Sequence, residues 1–474
     1  MVLLACAAAC VAVSSQSLWI DEAQTALHAM PPTLHGWWQD LYAEHNSNMQ
    51  LPLYMIYIWG WARLFGVSEL ALRAANIPWF FLGLFAIAHF LRSRPGLRGA
   101  AVLIYCVHPF VWYYLDEARP YLMQLSGAMM VAGCLFAGLD EDRFPASWWW
   151  LFAAGLTILC GAGLLGVPWA AAIAILLFLR PGFRQSMARA GLPALIVFIP
   201  CLLFLGLYLA WTIKDGARAG QQPMPLSSIP FVFYEHLGFI GLGPGRADMR
   251  SGGFGIFLSY LLPVCLLGVP LAYALARAAA VRFGLGPGRL LPVCLLVVIA
   301  TGTVFALGII KEFRVLGRHL TPLFPFLLCA VAFAISNLWA GRRLADRAVV
   351  CLIVTALAAS ALECRFAFRH AKDDNKDASS IAKAAIARGE DVWWVADLDS
   401  AVYYALPFSM SSEPGAALVL WNPAPSALSS QKPPAIILLC KPDLFDSAGA
   451  VSQYLALHHY HIDGTLPAFT VWRK

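Results

Sequence analysis

Short Arg-rich linkers break the apolar runs of this chain at alternate connections, and no other feature limits its fold as strongly. The linkers are "RSRPGLR" (92–98), "RPGFRQSMAR" (180–189), "RAAAVRFGLGPGR" (277–289) and "GRRLADR" (341–347). Between them lie apolar runs near 73–91, 100–115, 120–138, 148–161, 164–179, 192–212, 253–276, 290–310, 320–340 and 348–362. Runs of this length with so little charge are the pattern of membrane-spanning helices. Short loops rich in Arg stay on the cytoplasmic side, so all four linkers belong to one face, and "DEDRFPAS" (140–147) joins them as the least basic member. Residues 1–17 are read as a first span, which could begin upstream; the alternative is a signal peptide, for which no small-x-small cleavage site follows. The pattern predicts about eleven spans, with the N-terminus inside and the C-terminus outside.

Composition agrees. Charged residues make up 13% of the 474 and hydrophobic residues 60%, with a mean hydropathy of +0.68; a soluble chain carries roughly 25% charge. The net charge of +6 sits largely in the linkers, so it argues for sidedness and not for nucleic acid. Ten of the 12 cysteines lie in apolar runs, where Cys acts as a small hydrophobe. No C-x-x-C pair supports a zinc or redox motif. Cys364 and Cys440 lie in the polar tail, and a disulfide between them is left open.

The run "LPLYMIYIWGWARLFG" (51–66) is apolar, but a crossing there would invert every later loop. It is short and carries Arg63, Trp59 and Trp61, so it is read as a helix in the outer interface. Residues 18–72 then form one long first extracytoplasmic loop within a transmembrane domain of residues 1–363. From 364 to 474 the chain turns polar. A helical stretch, "KDDNKDASSIAKAAIARGED", precedes "DVWWVA", "ALVLW" and "AIILLC", a helix near 446–457 and "AFTVW", which together predict a small extracytoplasmic α/β domain.

Ionisable residues collect at the outer edge, where burial near lipid is costly and usually functional. "SLWIDEAQTALHA" (17–29) places Asp21 and Glu22 at the mouth of the first loop. On a helix they point about 100° apart, so one can face a cavity while the other binds a neighbour; the plainer alternative is an acidic pair at a helix N-terminus. "YYLDEARPYLMQL" (113–125) sets Asp116, Glu117, Arg119 and Tyr121 around Pro120, where an inward-running helix begins. "KEFRVLGRHLTPLFP" (311–325) repeats the device with Lys311, Arg314, Arg318, His319 and Pro322. Helix N-termini with Arg bind anions. A phosphate would satisfy the cations, while a carboxylate could act as general base; otherwise the turns are ordinary ion pairs or headgroup contacts. His28, His35 and His45 match no metal spacing, "HHYH" (458–461) reads as a surface strand, and the two copies of "GLGPGR" (241–246, 284–289) read as turns.

In order and sidedness these motifs resemble the GT-C fold glycosyltransferases. The residues that carry the resemblance are Trp19-x-Asp21-Glu22, Leu51-Pro52-Leu53-Tyr54 followed by "LFG", Arg73, "EARPY" (117–121) and "GRHLTPLFP" (317–325). The nearest branch is the family-39-like group, with protein O-mannosyltransferases and lipid A aminoarabinose transferase. The resemblance implies transfer of a sugar from a polyprenyl-phosphate donor, with inversion, on the outer face of the cytoplasmic membrane. It implies Asp21 as general base with Glu22 in support, Asp116 or Glu117 as a second acidic site, and Arg119 and Arg318 on the donor phosphate. Lys311, His319 and Tyr121 join the phosphate set from their position beside those Arg residues. The aminoarabinose-transferase branch has a Lys before its first-loop prolines; here the stretch is "NSNMQLP", with Asn48 and Gln50. A divalent cation is left open and no other cofactor is implied. The acceptor is a lipid, a protein or a polysaccharide, the surroundings are membrane lipid, and no nucleic acid is expected. The competing classes are a transporter or flippase and a ligase for lipid-linked glycans; a transporter calls for charge near the bilayer midplane.

Overall fold

Among the described residues, seven helices are long and apolar enough to cross a membrane: Glu69–Phe90, Tyr121–Leu139, Ile196–Lys214, Gly255–Ala280, Gly288–Ile310, Gly317–Ala340 and Leu344–Phe366. The structure, a computed structural model, describes residues 1–140, 144–215, 223–245, 248–249, 253–285, 287–341 and 343–474. Residues 141–143 of the "DEDRFPAS" linker, Arg246 of the first "GLGPGR", Gly286 of the second and Arg342 of "GRRLADR" therefore lie outside the described residues. Several spanning helices turn apolar side chains outward, among them Leu203, Phe204, Leu207, Val269, Val298 and Ile299. A helix can present such a surface to lipid because its backbone polar groups are satisfied within the segment.

Three expected spans take another form. Residues 1–17 hold a helix only over Val2–Ala12, and the chain beyond Ala12 is extended. The run 100–115 is two helices, Pro95–Val107 and Pro109–Leu115, because Pro109 removes an N–H and holds His108 in the extended region at ψ 126°. The run 164–179 continues as Leu164–Phe178 and Pro181–Arg189, bent by 92° at Arg180-Pro181 for the same reason. The remaining shorter apolar helix is Ala146–Ala162.

The connections gather at two ends. At one end Arg180 Nη2 donates to the carbonyl of Gly288 at 3.5 Å, and Ser186 donates to the carbonyl of Phe144. At the other, the turns around residues 119–120, 163 and 311–316 line one cavity with the start of the helix Ile20–Ala29, which packs with the helices Leu34–Ala43 and Pro52–Phe65. These last three share a core of Leu18, Ala26, Trp37, Leu41, Met55 and Ile58. The sequence expectation of a helix over 51–66 corresponds to Pro52–Phe65, which starts with Pro at its first turn.

The same end carries a six-stranded sheet in the order β2-β3-β1-β4-β6-β5. Its strands are β1 (Val392–Val395), β2 (Phe408–Ser409), β3 (Ala417–Val419), β4 (Ile436–Cys440), β5 (His461–Thr465) and β6 (Phe469–Arg473). The first four run parallel, and β6 pairs antiparallel with both β4 and β5. "VWWV" and "IILLC" are buried along their whole length, as continuous apolar strands covered on both faces must be. One detail departs from expectation. His458 and His459 close the helix Ala450–Leu457, with His459 at φ 55°, so the edge strand begins only at His461. Cys364 and Cys440, whose pairing the sequence leaves open, are not bridged.

Candidate functional site

The helix Ile20–Ala29 starts at Trp19 and puts Asp21 and Glu22 in its first turn. Their fates diverge as the helical rotation requires. Glu22 is fully buried. Arg73 clamps it from two sides, Nε donating to Oε1 at 2.9 Å and Nη2 to Oε2 at 2.7 Å. The backbone N–H of Ala118 donates to Oε1 at 2.7 Å, and Lys372, from the chain leading to the sheet, donates to Oε2 at 3.3 Å. Burial alone would raise the Glu22 carboxyl, but Arg73 and Lys372 hold it down at about 2. Arg73, equally buried, spends its remaining N–H groups on the oxygens of Ser14, Gln16 and Ser17 in the extended segment after Ala12. Asp116 closes the cluster, accepting from the N–H of Ser14 at 2.6 Å and its hydroxyl at 2.9 Å.

Asp21 faces the other way, into a cavity of about 1790 Å³. Its carboxylate accepts from Arg318 Nη1 at 3.0 Å. The Arg318 guanidinium lies over the rings of Trp19 at 5.4 Å and Tyr121 at 5.8 Å. Arg119 stands beside it, its Nη1 donating to Asn48 Oδ1 at 2.9 Å and Thr25 Oγ1 at 2.8 Å and to the carbonyl of Asp21 at 3.2 Å. Its Nε is buried with no hydrogen-bond partner. Arg119, Lys311, Arg314, Arg318 and Lys441 set five fixed cations on the wall against Asp21, Glu312 and Asp443. Away from them the wall is apolar, with Leu164, Leu165, Val167, Ile213, Leu307 and Ile310.

The turn bearing Arg318 is not the start of a regular helix, as expected from Pro322. Gly317–Leu323 is a 3₁₀ turn, kinked at Leu320, and the α-helix begins at Phe324 with Pro325 in its first turn. The helix Ser228–His236 holds that turn in place. Glu235 accepts from the N–H of Gly317 at 2.7 Å, and His236 Nε2 lies 3.0 Å from the carbonyl of Leu320. His319 lines the cavity edge-on to Phe313.

Of the residues singled out in the sequence, Asp21, Arg119, Tyr121, Lys311, Arg318 and His319 share the cavity wall. Glu22, Asp116 and Glu117 do not. The first two belong to the Arg73 cluster behind Asp21, and Glu117 is 1% exposed. Glu22 and Asp116 are held by hydrogen bonds within that cluster, and Glu117 is buried away from the cavity wall. Among the described residues no three His, Cys, Asp or Glu side chains converge to hold a metal ion. Sequence reasoning missed Lys372, Glu235, and the residues after β3 and β4 that roof the cavity: Trp421, Lys441, Asp443 and Leu444. The cationic Lys372 in "AKDDNK" offered a faint signal; the others have none short of the fold.

No protein-family model matches the sequence, and no curated protein matches it. Solved structures do. The chain is similar to ArnT from Cupriavidus metallidurans in the apo state, with a TM-score of 0.56 and 13% identity over 99% of this chain and 96% of that one. It is similar to the same protein bound to undecaprenyl phosphate, with a TM-score of 0.51 and 14% identity over the same shares. The architecture expected from the motifs, a GT-C-like helical body with a small C-terminal α/β unit, is the fold the chain has. With its apolar helices, the chain is a multi-pass membrane protein.

Proposed function

We propose that the chain is an inverting glycosyltransferase that moves a sugar from a polyprenyl-phosphate donor to an acceptor at the outer face of the cytoplasmic membrane. The reading rests on one observation above all: Asp21 and Arg318 meet in a cavity whose wall passes from apolar to cationic. A polyprenyl chain suits the apolar part, and the phosphate suits Arg318 and the buried Nε of Arg119. The likeness to ArnT crystallised with undecaprenyl phosphate supports the same donor class.

In the step we infer, an acceptor hydroxyl attacks the anomeric carbon while Asp21 takes its proton. The bond from that carbon to the phosphate oxygen breaks, and polyprenyl phosphate leaves with its charge met by Arg318 and Arg119. Arg318 holds Asp21 at 3.0 Å; a phosphate competes for that guanidinium and frees the carboxylate for the acceptor. Glu22, Arg73 and Asp116 keep the helix Ile20–Ala29 fixed against the body. Charge crowded at the sheet end of the helices, and not midway along them, supports an enzyme over a transporter.

Binding of undecaprenyl phosphate to the full chain in nanodiscs tests the donor half. Arg318→Gln should weaken it by about 1.5–3 kcal/mol, the range for hydrogen bonds to charged groups. Unchanged affinity in that variant removes Arg318 from the donor site. Envelope-lipid analysis of cells with and without the protein should then reveal one missing glycosylated species.

A further inference from the structure

We infer that the carboxyl ends of β3 and β4 form a sugar-binding subsite in the roof of the cavity, with Trp421 as its platform, and that the acceptor is a glycan-bearing molecule. The inference deepens the glycosyltransferase reading and rests on it. β1 lies between β3 and β4, so the parallel chain runs first to one side and then to the other. Such a switch leaves a crevice at the carboxyl ends of the strands, where α/β sheets bind ligands. Here those ends point at the cavity: Trp421 follows β3, Lys441, Asp443 and Leu444 follow β4, and all four line its wall.

A lone exposed tryptophan is ordinary on a surface. This one differs in place and in support. Trp421 is 56% exposed, and its ring meets Phe445 edge-on at 5.2 Å. The next residue, Asn422, ties the two strand ends together. Its N–H donates to the carbonyl of Phe445 at 2.9 Å, its Nδ2 to the carbonyl of Leu444 at 3.0 Å, and its Oδ1 accepts from the N–H of Ser447 at 2.7 Å. Asn422 and Lys441 both hold positive φ, 43° and 36°; Asn enters that region readily, but a Lys is uncommon there. Lys441 is anchored by its ammonium group, which donates to Asp373. The roof thus presents a pinned aromatic beside a carboxylate. A sugar ring offers an apolar C–H face and a rim of hydroxyls. The indole takes the first by stacking, and Asp443 can accept from the second. A protein hydroxyl on an extended peptide has no such face.

The test uses the full-length protein in nanodiscs on an array of defined oligosaccharides and Ser/Thr peptides, with undecaprenyl phosphate binding measured in parallel. Wild type should retain at least one glycan class. Trp421→Ala should lower that signal by about tenfold or more, the scale of an aromatic contact, while Trp421→Phe keeps most of it. Both variants should bind undecaprenyl phosphate as wild type does, which reports an intact fold. The inference is overturned if wild type binds undecaprenyl phosphate but no glycan, if peptides bind in place of glycans, or if Trp421→Ala binds glycan unchanged. Glycan binding that depends on Trp421, in a protein that ignores undecaprenyl phosphate, would keep the subsite and overturn the donor reading.

Discussion

Asp21 and Glu22 are chemically alike and adjacent, and the fold gives them opposite work. Asp21 faces the cavity with Arg318 as its partner, so Asp21→Asn should leave expression and undecaprenyl phosphate binding intact and lower transfer by at least about 10²-fold, the lower end of general-base assistance. Turnover within about threefold of wild type would remove Asp21 as the base. Glu22 is buried between two cations. Neutralising it strands them, and Glu22→Gln should cost on the order of 3 kcal/mol of stability, as breaking a buried pair does, seen as a lower unfolding midpoint. The sign of its pH dependence follows from the depressed carboxyl. The contribution is fully present above the ordinary value of 4.5 and is lost as pH falls through about 2. The difference in midpoint between wild type and Glu22→Gln should therefore narrow on acidification below about pH 4.5; a constant difference would show that the pair does not set the Glu22 titration.

Among the elements, the first-loop helices Ile20–Ala29 and Leu34–Ala43 are joined by a buried imidazole that local spacing gave no reason to single out. His28 Nδ1 lies 2.9 Å from Asp40 and Nε2 3.0 Å from Glu44. Burial opposes its charge, but the two carboxylates win and raise it from 6.5 to about 9. A raised histidine adds stability that is complete below pH 6.5 and lost as pH rises through about 9. Asp399, close by, is raised to about 7 by burial, Asp397 and Glu44, and its penalty is complete by that pH. The interval from about pH 7 to 9 thus isolates His28. There the midpoint of wild type should fall towards that of His28→Asn, and parallel curves would discard the linkage. Proline sets the other departures at this scale. Pro109 and Pro181 break runs whose hydropathy is continuous, because hydropathy counts transfer to lipid and not the loss of an N–H.

The whole molecule predicts a labelling pattern. In a background without native cysteines, Ser93→Cys, on an exposed Arg-rich linker, should react only from the cytoplasm, and Ser426→Cys, exposed beyond β3, only from outside. The reverse result would invert the proposed orientation and take the site to the other face. Lys372 is one of several ties between the sheet unit and the helical body: its ammonium group reaches Glu22 and the backbone of Asp116, while Asn375 donates to the carbonyl of Leu18 and Tyr403 to that of Val67. Shortening it, as in Lys372→Ala, should make the chain beyond residue 366 more open to protease without changing the sheet itself.

Much of this was legible in the chain. Apolar runs, Arg-rich linkers, the strand segments "DVWWVA", "ALVLW" and "AIILLC", and the motifs around Asp21, Arg119 and Arg318 are properties of short windows. Transfer to lipid, charge retention and β-propensity act residue by residue, so a sequence displays them. Sequence also stated that Asp21 and Glu22 would point apart, through helical rotation, but not which one would meet the cavity. That choice belongs to Arg73, 51 residues from Glu22, and to Lys372, 350 residues away. The same holds for Glu235 under Gly317 and for Trp421 over the cavity. Such pairings exist only when distant segments pack, because a charge is neutralised in a buried site by whatever the fold brings within about 4 Å, and no local pattern records that distance.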